Sequence, residues 1–171
     1  MRVYIPATME LLADLLAAGR TPTPVGAYAV TAAPRSWVER DGAADNEQLE
    51  LAALGEAARA SLRLLAHDPA SQPRRVVLAA EVPDVGVRVE DDSDLFEPGQ
   101  VTLTVAVPAP WLRAVHLDEP AAAADVRAAA AAVTAADNGD AAAESVVGLA
   151  EARELLWYAP GELETVNGAS S

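Results

Sequence analysis

Apolar and polar residues alternate from Val101 to Val107, the clearest pattern in the chain. A period of two puts Val101, Leu103, Val105 and Val107 on one face of a strand and Thr102 and Thr104 on the other. This predicts a sheet with one covered face and excludes an all-helical protein, whatever the abundance of alanine suggests. Arg75 to Val82 (RVVLAAEV) is nearly continuous in apolar residues, as a strand near the middle of a sheet and covered on both faces requires. Arg2 to Ile5, Val25 to Thr31 and Ala114 to Asp118 read as further strands, the last with Val115 and Leu117 inward. Val85 to Val89 and Leu155 to Tyr158 read as shorter ones.

The helical period appears between these runs. Thr8 stands as an N-cap before Leu11, Leu12, Leu15 and Leu16, which share one helical face, and Gly19 supplies the stop. The longest helical pattern spans Asp45 to Ala66, with Asp45 as its cap and Leu51, Leu54, Ala58, Leu62 and Leu65 at spacings of three and four. Its acidic start and its arginines, Arg59 and Arg63, complement the helix dipole. Ala121 to Ala136 has high helix propensity, with Pro120 in the first turn and alanines suited to close packing on a sheet. Asp137-Asn138-Gly139-Asp140 is a stop, a turn and a new cap, and Ala141 to Arg153 is helical again.

Helix and strand alternate early in the chain, and the first two strands with the helix between them predict a parallel β-α-β unit. Later strands adjoin one another. The expected architecture is therefore α/β: a single domain over residues 1–163 with a mixed sheet of about five strands packed with about four helices, followed by a disordered tail over 164–171. Ala32 to Ala44, which carries Trp37, shows no sustained period and reads as an irregular excursion.

Composition narrows the class. There is no cysteine, so disulfides, thiolate nucleophiles and cysteine-ligated metals are excluded. The net charge of -14 repels polyanions and argues against nucleic acid as a partner. All 12 basic residues are arginine, so a Schiff-base or phosphate-loop lysine is absent. The start of the chain enters an amphipathic pattern without the apolar core of an export signal, and no run is long enough for a membrane span, so a cytoplasmic location with no membrane partner is expected.

His116 and Asp118 are the candidate catalytic residues, because a two-residue spacing on a strand turns both side chains to one face, where a carboxylate can orient an imidazole. The simpler reading makes them polar positions flanking the inward Val115 and Leu117. His67 reads as a C-terminal helix cap. Glu90-Asp91-Asp92-Ser93-Asp94 raises calcium, but the EF-hand spacing fails, and a solvated acidic loop pinned by Phe96 is the simpler reading. No metal site and no cofactor motif is indicated. Ser61 sits among helical alanines, where packing explains it. Arg74-Arg75 reads either as an anion clamp or as a solvated strand edge. Trp37, Trp111, Trp157 and Tyr158 are the candidate binding residues, since tryptophan and tyrosine concentrate in contact hot spots. Core packing is the alternative, and the stronger one for Trp111 and Trp157.

The segments Met1 to Thr8 (MRVYIPAT), Ala52 to Leu65 (AALGEAARASLRLL), Arg74 to Asp84 (RRVVLAAEVPD), Ala114 to Asp118 (AVHLD) and Glu154 to Leu163 (ELLWYAPGEL) together resemble a family of short actinobacterial proteins of unknown function. The resemblance implies a single bacterial cytoplasmic domain and carries no activity. Missing catalytic signatures favour a non-catalytic protein-interaction or regulatory module, which binds a protein partner or a second copy through a sheet edge or the Trp37 region. The alternatives are a small hydrolase or transferase acting on a small metabolite through His116 and Asp118, and a small-ligand sensor.

Overall fold

A computed structural model describes residues 1–31, 46–89 and 99–168. Its strands are β1 (Arg2–Ala7), β2 (Val25–Ala29), β3 (Val76–Glu81), β4 (Val87–Val89), β5 (Gln100–Leu103), β6 (Leu112–Leu117) and β7 (Leu156–Tyr158). The helices are α1 (Met9–Ala18), α2 (Asn46–His67), α3 (Ala123–Asp137), α4 (Ala141–Glu151) and the short α5 (Leu163–Gly168). The irregular segment with Trp37, the Asp45 cap and the acidic loop with Phe96 lie outside the described residues. Within the described residues no helix is long and apolar enough to cross a membrane.

The α/β class of the sequence reading holds, but the sheet is larger than expected and runs differently. Seven strands lie in the order β4-β5-β2-β1-β3-β6-β7, and every neighbouring pair is antiparallel. The parallel β-α-β unit is therefore incorrect. β1 pairs β2 with Val3 opposite Ala29 and Tyr4 opposite Tyr28, so β2 starts at the end of the sheet where β1 finishes. The reason lies in the connector. Ten residues of α1 advance about 15 Å at 1.5 Å each, and residues 20–24 can return at most about 17 Å. Gly19, at φ 73°, reverses the chain. The connector is then held by a bridge between Arg20 and Pro108 and by the Thr21 N–H on the Val107 carbonyl.

One sheet face carries Val3, Ile5, Ala7, Val76, Leu78, Val101, Leu103, Val115 and Leu117, all buried with Met9, Leu12 and Leu15 of α1 and Leu163 of α5. Thr8 caps α1 through its Oγ1, which accepts from the Leu11 N–H at 3.2 Å. β5 ends at Leu103, short of the Val107 that the alternation suggests: the Thr104 N–H and hydroxyl still reach the Gly86 carbonyl, but the Gly86 N–H closes on the Pro83 carbonyl at 2.8 Å and returns no bond to the strand. Residues Leu163–Gly168 form α5, anchored by the buried Leu163.

The opposite face presents Tyr4, Tyr28, Val77, Ala79 and Ala114 to Ala53, Ala57 and Ala58 of α2. These alanines let the helix backbone approach the sheet. Ser61 fixes the docking: its hydroxyl donates to the Ala7 carbonyl at 2.7 Å and accepts from the Val76 N–H at 3.1 Å, joining α2 to the end of the β1–β3 ladder. Packing alone, the sequence reading, therefore understates this serine. α3 does not lie on the sheet as its alanines suggest. Its stripe Val126, Ala129, Val133 and Ala136 packs with Val147 and Ala150 of α4 against Leu62 and Leu65 of α2. The order of layers is α1 and α5, sheet, α2, then the α3–α4 hairpin.

Arg59 of α2 ties down that hairpin. Its guanidinium reaches Asp137, Glu144 and Glu151 at 3.1, 2.8 and 2.9 Å, and Arg63 joins Asp137 at 2.7 Å. The hydrogen bonds from Arg63, followed by those from Arg59, hold the Asp137 carboxyl below the ordinary carboxylate range against the opposing effect of burial.

Candidate functional site

Asp118 stands one residue beyond β6 and Arg75 one residue before β3, on the rung that follows the Val76–Leu117 pair. Asp118 is fully buried and Arg75 is 2% exposed. The carboxylate accepts three bonds from this one residue: the Arg75 backbone N–H at 2.8 Å, its Nε at 2.9 Å and its Nη2 at 2.7 Å. Arg75 Nη2 also donates to the Arg153 carbonyl at 3.0 Å, and Arg74 Nε donates to the Asp118 carbonyl at 2.8 Å. Such planar, bidentate geometry satisfies both charges away from water. Arg74 and Arg75 are thus neither an anion clamp nor a solvated strand edge, as they tie two strand ends to the exit of α4.

His116 lies two residues earlier, on the α2 side of the sheet. It lines an open cleft of about 770 Å³ whose walls include Leu51 and Leu54 of α2, Leu155, and Trp157 of β7. His116 and Trp157 are direct partners across β6 and β7, so imidazole and indole stand side by side on one face. The indole is 60% exposed and Leu51 67% exposed. Burial pushes the His116 pKa below the ordinary imidazole value, which keeps the ring uncharged at neutral pH. No hydrogen bond links His116 to Asp118 or to any other carboxylate among the described residues. Arg59, Arg75 and Arg153 reach the cleft wall, but each is already engaged: Arg59 with three carboxylates, Arg75 with Asp118, and Arg153 with Asp125 at 2.6 Å. Glu154 also lines the cleft and has no ion-pair partner among the described residues.

β7 borders this cleft and is the last strand of the sheet, so one side of its backbone is unpaired by any other described strand. Leu156, on its opposite face, is also exposed. The aromatic candidates therefore separate. Trp157 faces the cleft, whereas Trp111 and Tyr158 are partly buried against the α1-side core. The expectation of a core role holds for Trp111 and fails for Trp157, because β7 is an edge strand with nothing described beyond it. Trp37 lies outside the described residues. His67 ends α2, exposed, in the position of a cap.

Leu51 is the cleft residue that sequence reasoning misplaced. Its spacing fits the apolar stripe of α2, yet its side chain stands exposed on the wall of the cleft instead of in the core. Glu154 and Arg153 gave no local signal, because they follow α4 in an irregular turn. Among the described residues no three His, Asp or Glu side chains gather as a metal site.

No curated protein and no solved structure matches the chain. A family model does, along residues 1–166. The chain accordingly belongs to a family of unknown function, DUF6912.

Proposed function

We propose that the chain is a non-catalytic protein-interaction module whose docking surface is the β7 edge together with the cleft beside it. The occupant is an extended segment of a protein partner that adds to β7 as a further strand, setting an apolar side chain against Trp157 and Leu51 and a basic one against Glu154. The observation that carries this reading is the exposed indole of Trp157 on an edge strand. A large ring left in water beside unpaired backbone groups is what strand addition uses, with main-chain bonds for affinity and alternate side chains for selection. The net charge of -14 favours a basic partner over a second copy of the same chain.

What supports this over hydrolysis or group transfer is the fate of Asp118. The dyad expected of His116 and Asp118 needs a carboxylate free to orient the imidazole, and this one is saturated by Arg75. A second reading, small-ligand sensing in the same cleft, draws on the uncharged and unbonded His116 ring. Selection of peptides from a random displayed library tests the first reading. Binders are expected to share an apolar residue and a basic residue in extended sequence, to perturb the amides of β7, and to weaken at least tenfold on Trp157→Ser (about 1.4 kcal/mol). Binders indifferent to Trp157→Ser, or none at all, would overturn it. Thermal stabilisation by a small metabolite that is lost in His116→Gln would favour the sensor instead.

A further inference from the structure

A second cavity lies away from the β7 edge, under α1. It measures about 350 Å³, and its floor is made by Ile5, Ala7, Leu15 and Leu78, all almost fully buried. This is within the range of small-ligand sites, which are mostly apolar with a few placed polar groups. Here the polar side chains are two charges of opposite sign, Asp14 and Arg20, and Thr21, whose hydroxyl oxygen already accepts from the Val107 N–H at 2.9 Å.

Their placement follows from the local chain. Leu11, Asp14, Leu15 and Ala18 fall at i, i+3, i+4 and i+7, so all four line the cavity from one face of α1 and Asp14 interrupts an otherwise apolar stripe. Gly19 takes a left-handed conformation that a side chain would strain, and its N–H closes on the Leu15 carbonyl at 2.7 Å. That reversal brings Arg20 back over the cavity. A bridge to Pro108 and the Ala109 N–H on the Gly19 carbonyl at 2.9 Å then hold the Arg20 backbone in place. Neither Asp14 nor Arg20 makes a side-chain hydrogen bond or ion pair among the described residues, with each other or with anything else. Arg2, Arg59, Arg63, Arg75 and Arg153 all hold carboxylates, whereas Arg20 and Asp14 line one apolar cavity with opposite charges and no partner among the described residues.

We infer that this cavity binds a free hydrophobic α-amino acid. The aliphatic side chain fills the floor between Leu15 and Leu78, the carboxylate meets the Arg20 guanidinium, and the ammonium meets the Asp14 carboxylate. A purely anionic amphiphile would set its charge beside Asp14, and a purely cationic one beside Arg20. Only a zwitterion uses both. Binding here is reversible and involves no bond making.

Titration of the isotope-labelled protein with L-leucine, followed by amide shifts, tests this. Saturable shifts are expected in α1 and around Arg20 and Val25, with affinity in the micromolar to millimolar range. Glycine, which lacks the apolar group, is expected to bind at least about tenfold more weakly, since burying a leucine side chain is worth that factor or more. 4-Methylpentanoate and 3-methylbutylamine, which keep the side chain but one charge each, are each expected to bind several-fold more weakly than leucine, in line with one exposed charge contact. Asp14→Asn should abolish the preference for leucine over 4-methylpentanoate, and Arg20→Gln the preference over 3-methylbutylamine. Both sites are exposed, so the variants should fold as the parent does. Absence of saturable shifts at tens of millimolar ligand, shifts confined to the β7 cleft, or one-charge analogues that bind as well as leucine would overturn the proposal.

Discussion

Replacing Asp118 by alanine tests whether this carboxylate is structural. The substitution removes the acceptor of three hydrogen bonds from Arg75 and leaves a guanidinium that is 2% exposed with only the Arg153 carbonyl at its Nη2. Breaking a buried pair from one side costs about 3–5 kcal/mol, because the orphaned charge stays desolvated. Against a typical total of about 5–15 kcal/mol that is roughly a fifth or more of the stability. For a domain of this size it corresponds to a fall in melting temperature of roughly 6–20 °C. Urea unfolding followed by tryptophan fluorescence should show the midpoint falling while the slope stays constant. The double variant Arg75→Met with Asp118→Leu removes both charges and should recover about half of the loss. About 1–3 kcal/mol should remain, since the Arg75 backbone N–H still lacks its acceptor. A loss in Asp118→Ala below roughly 0.5 kcal/mol, the level of an ordinary surface change, would refute the argument and restore Asp118 as a free side chain beside His116.

Other outcomes follow from the same geometry. Ser61→Ala leaves the Ala7 carbonyl and the Val76 N–H without their side-chain partner in a dry layer, and should cost about 2–4 kcal/mol in urea unfolding, well beyond the loss of one hydroxyl at the surface. Because burial lowers the His116 pKa, the unfolded chain takes up the proton first; stability is full above about 6.5 and declines as pH falls from there toward the folded-state value. His116→Gln should flatten that decline in melting temperature across pH 5–7, and an unchanged slope would show that the ring is solvated. Gly99→Ala forces a left-handed residue, φ 79°, to carry a Cβ at 2.8 Å from the Ala29 carbonyl oxygen, and should destabilise by more than the roughly 1–2 kcal/mol of the backbone conformation alone. Gly148→Ala, with open space at its Cβ, is the matched control and should be neutral or stabilising.

Local patterns determined much of this protein. The alternation at Val101, the apolar run from Arg75, the Thr8 cap and Gly19 stop of α1, and the Asp137 to Asp140 turn all state in a few residues what the backbone does there, because side-chain periodicity and terminal hydrogen bonding are local properties. Strand direction is not local. It depended on whether residues 19–24 return the chain to the end of β1, and that was decided by pairing with Val107 and Pro108 far along the sequence. For the same reason His116 and Asp118, two residues apart and alike in sequence, met different fates. A carboxylate's role depends on the nearest guanidinium, and Arg75 reaches it only once β3 and β6 are neighbours. Leu51 and Trp157 carry apolar side chains that the sequence assigns to the interior; only the edge position of β7 and the open cleft between it and α2 leave them in water. Asp14 and Arg20 likewise become a pair of charges over one cavity solely through the turn at Gly19 and the packing of α1 on the sheet.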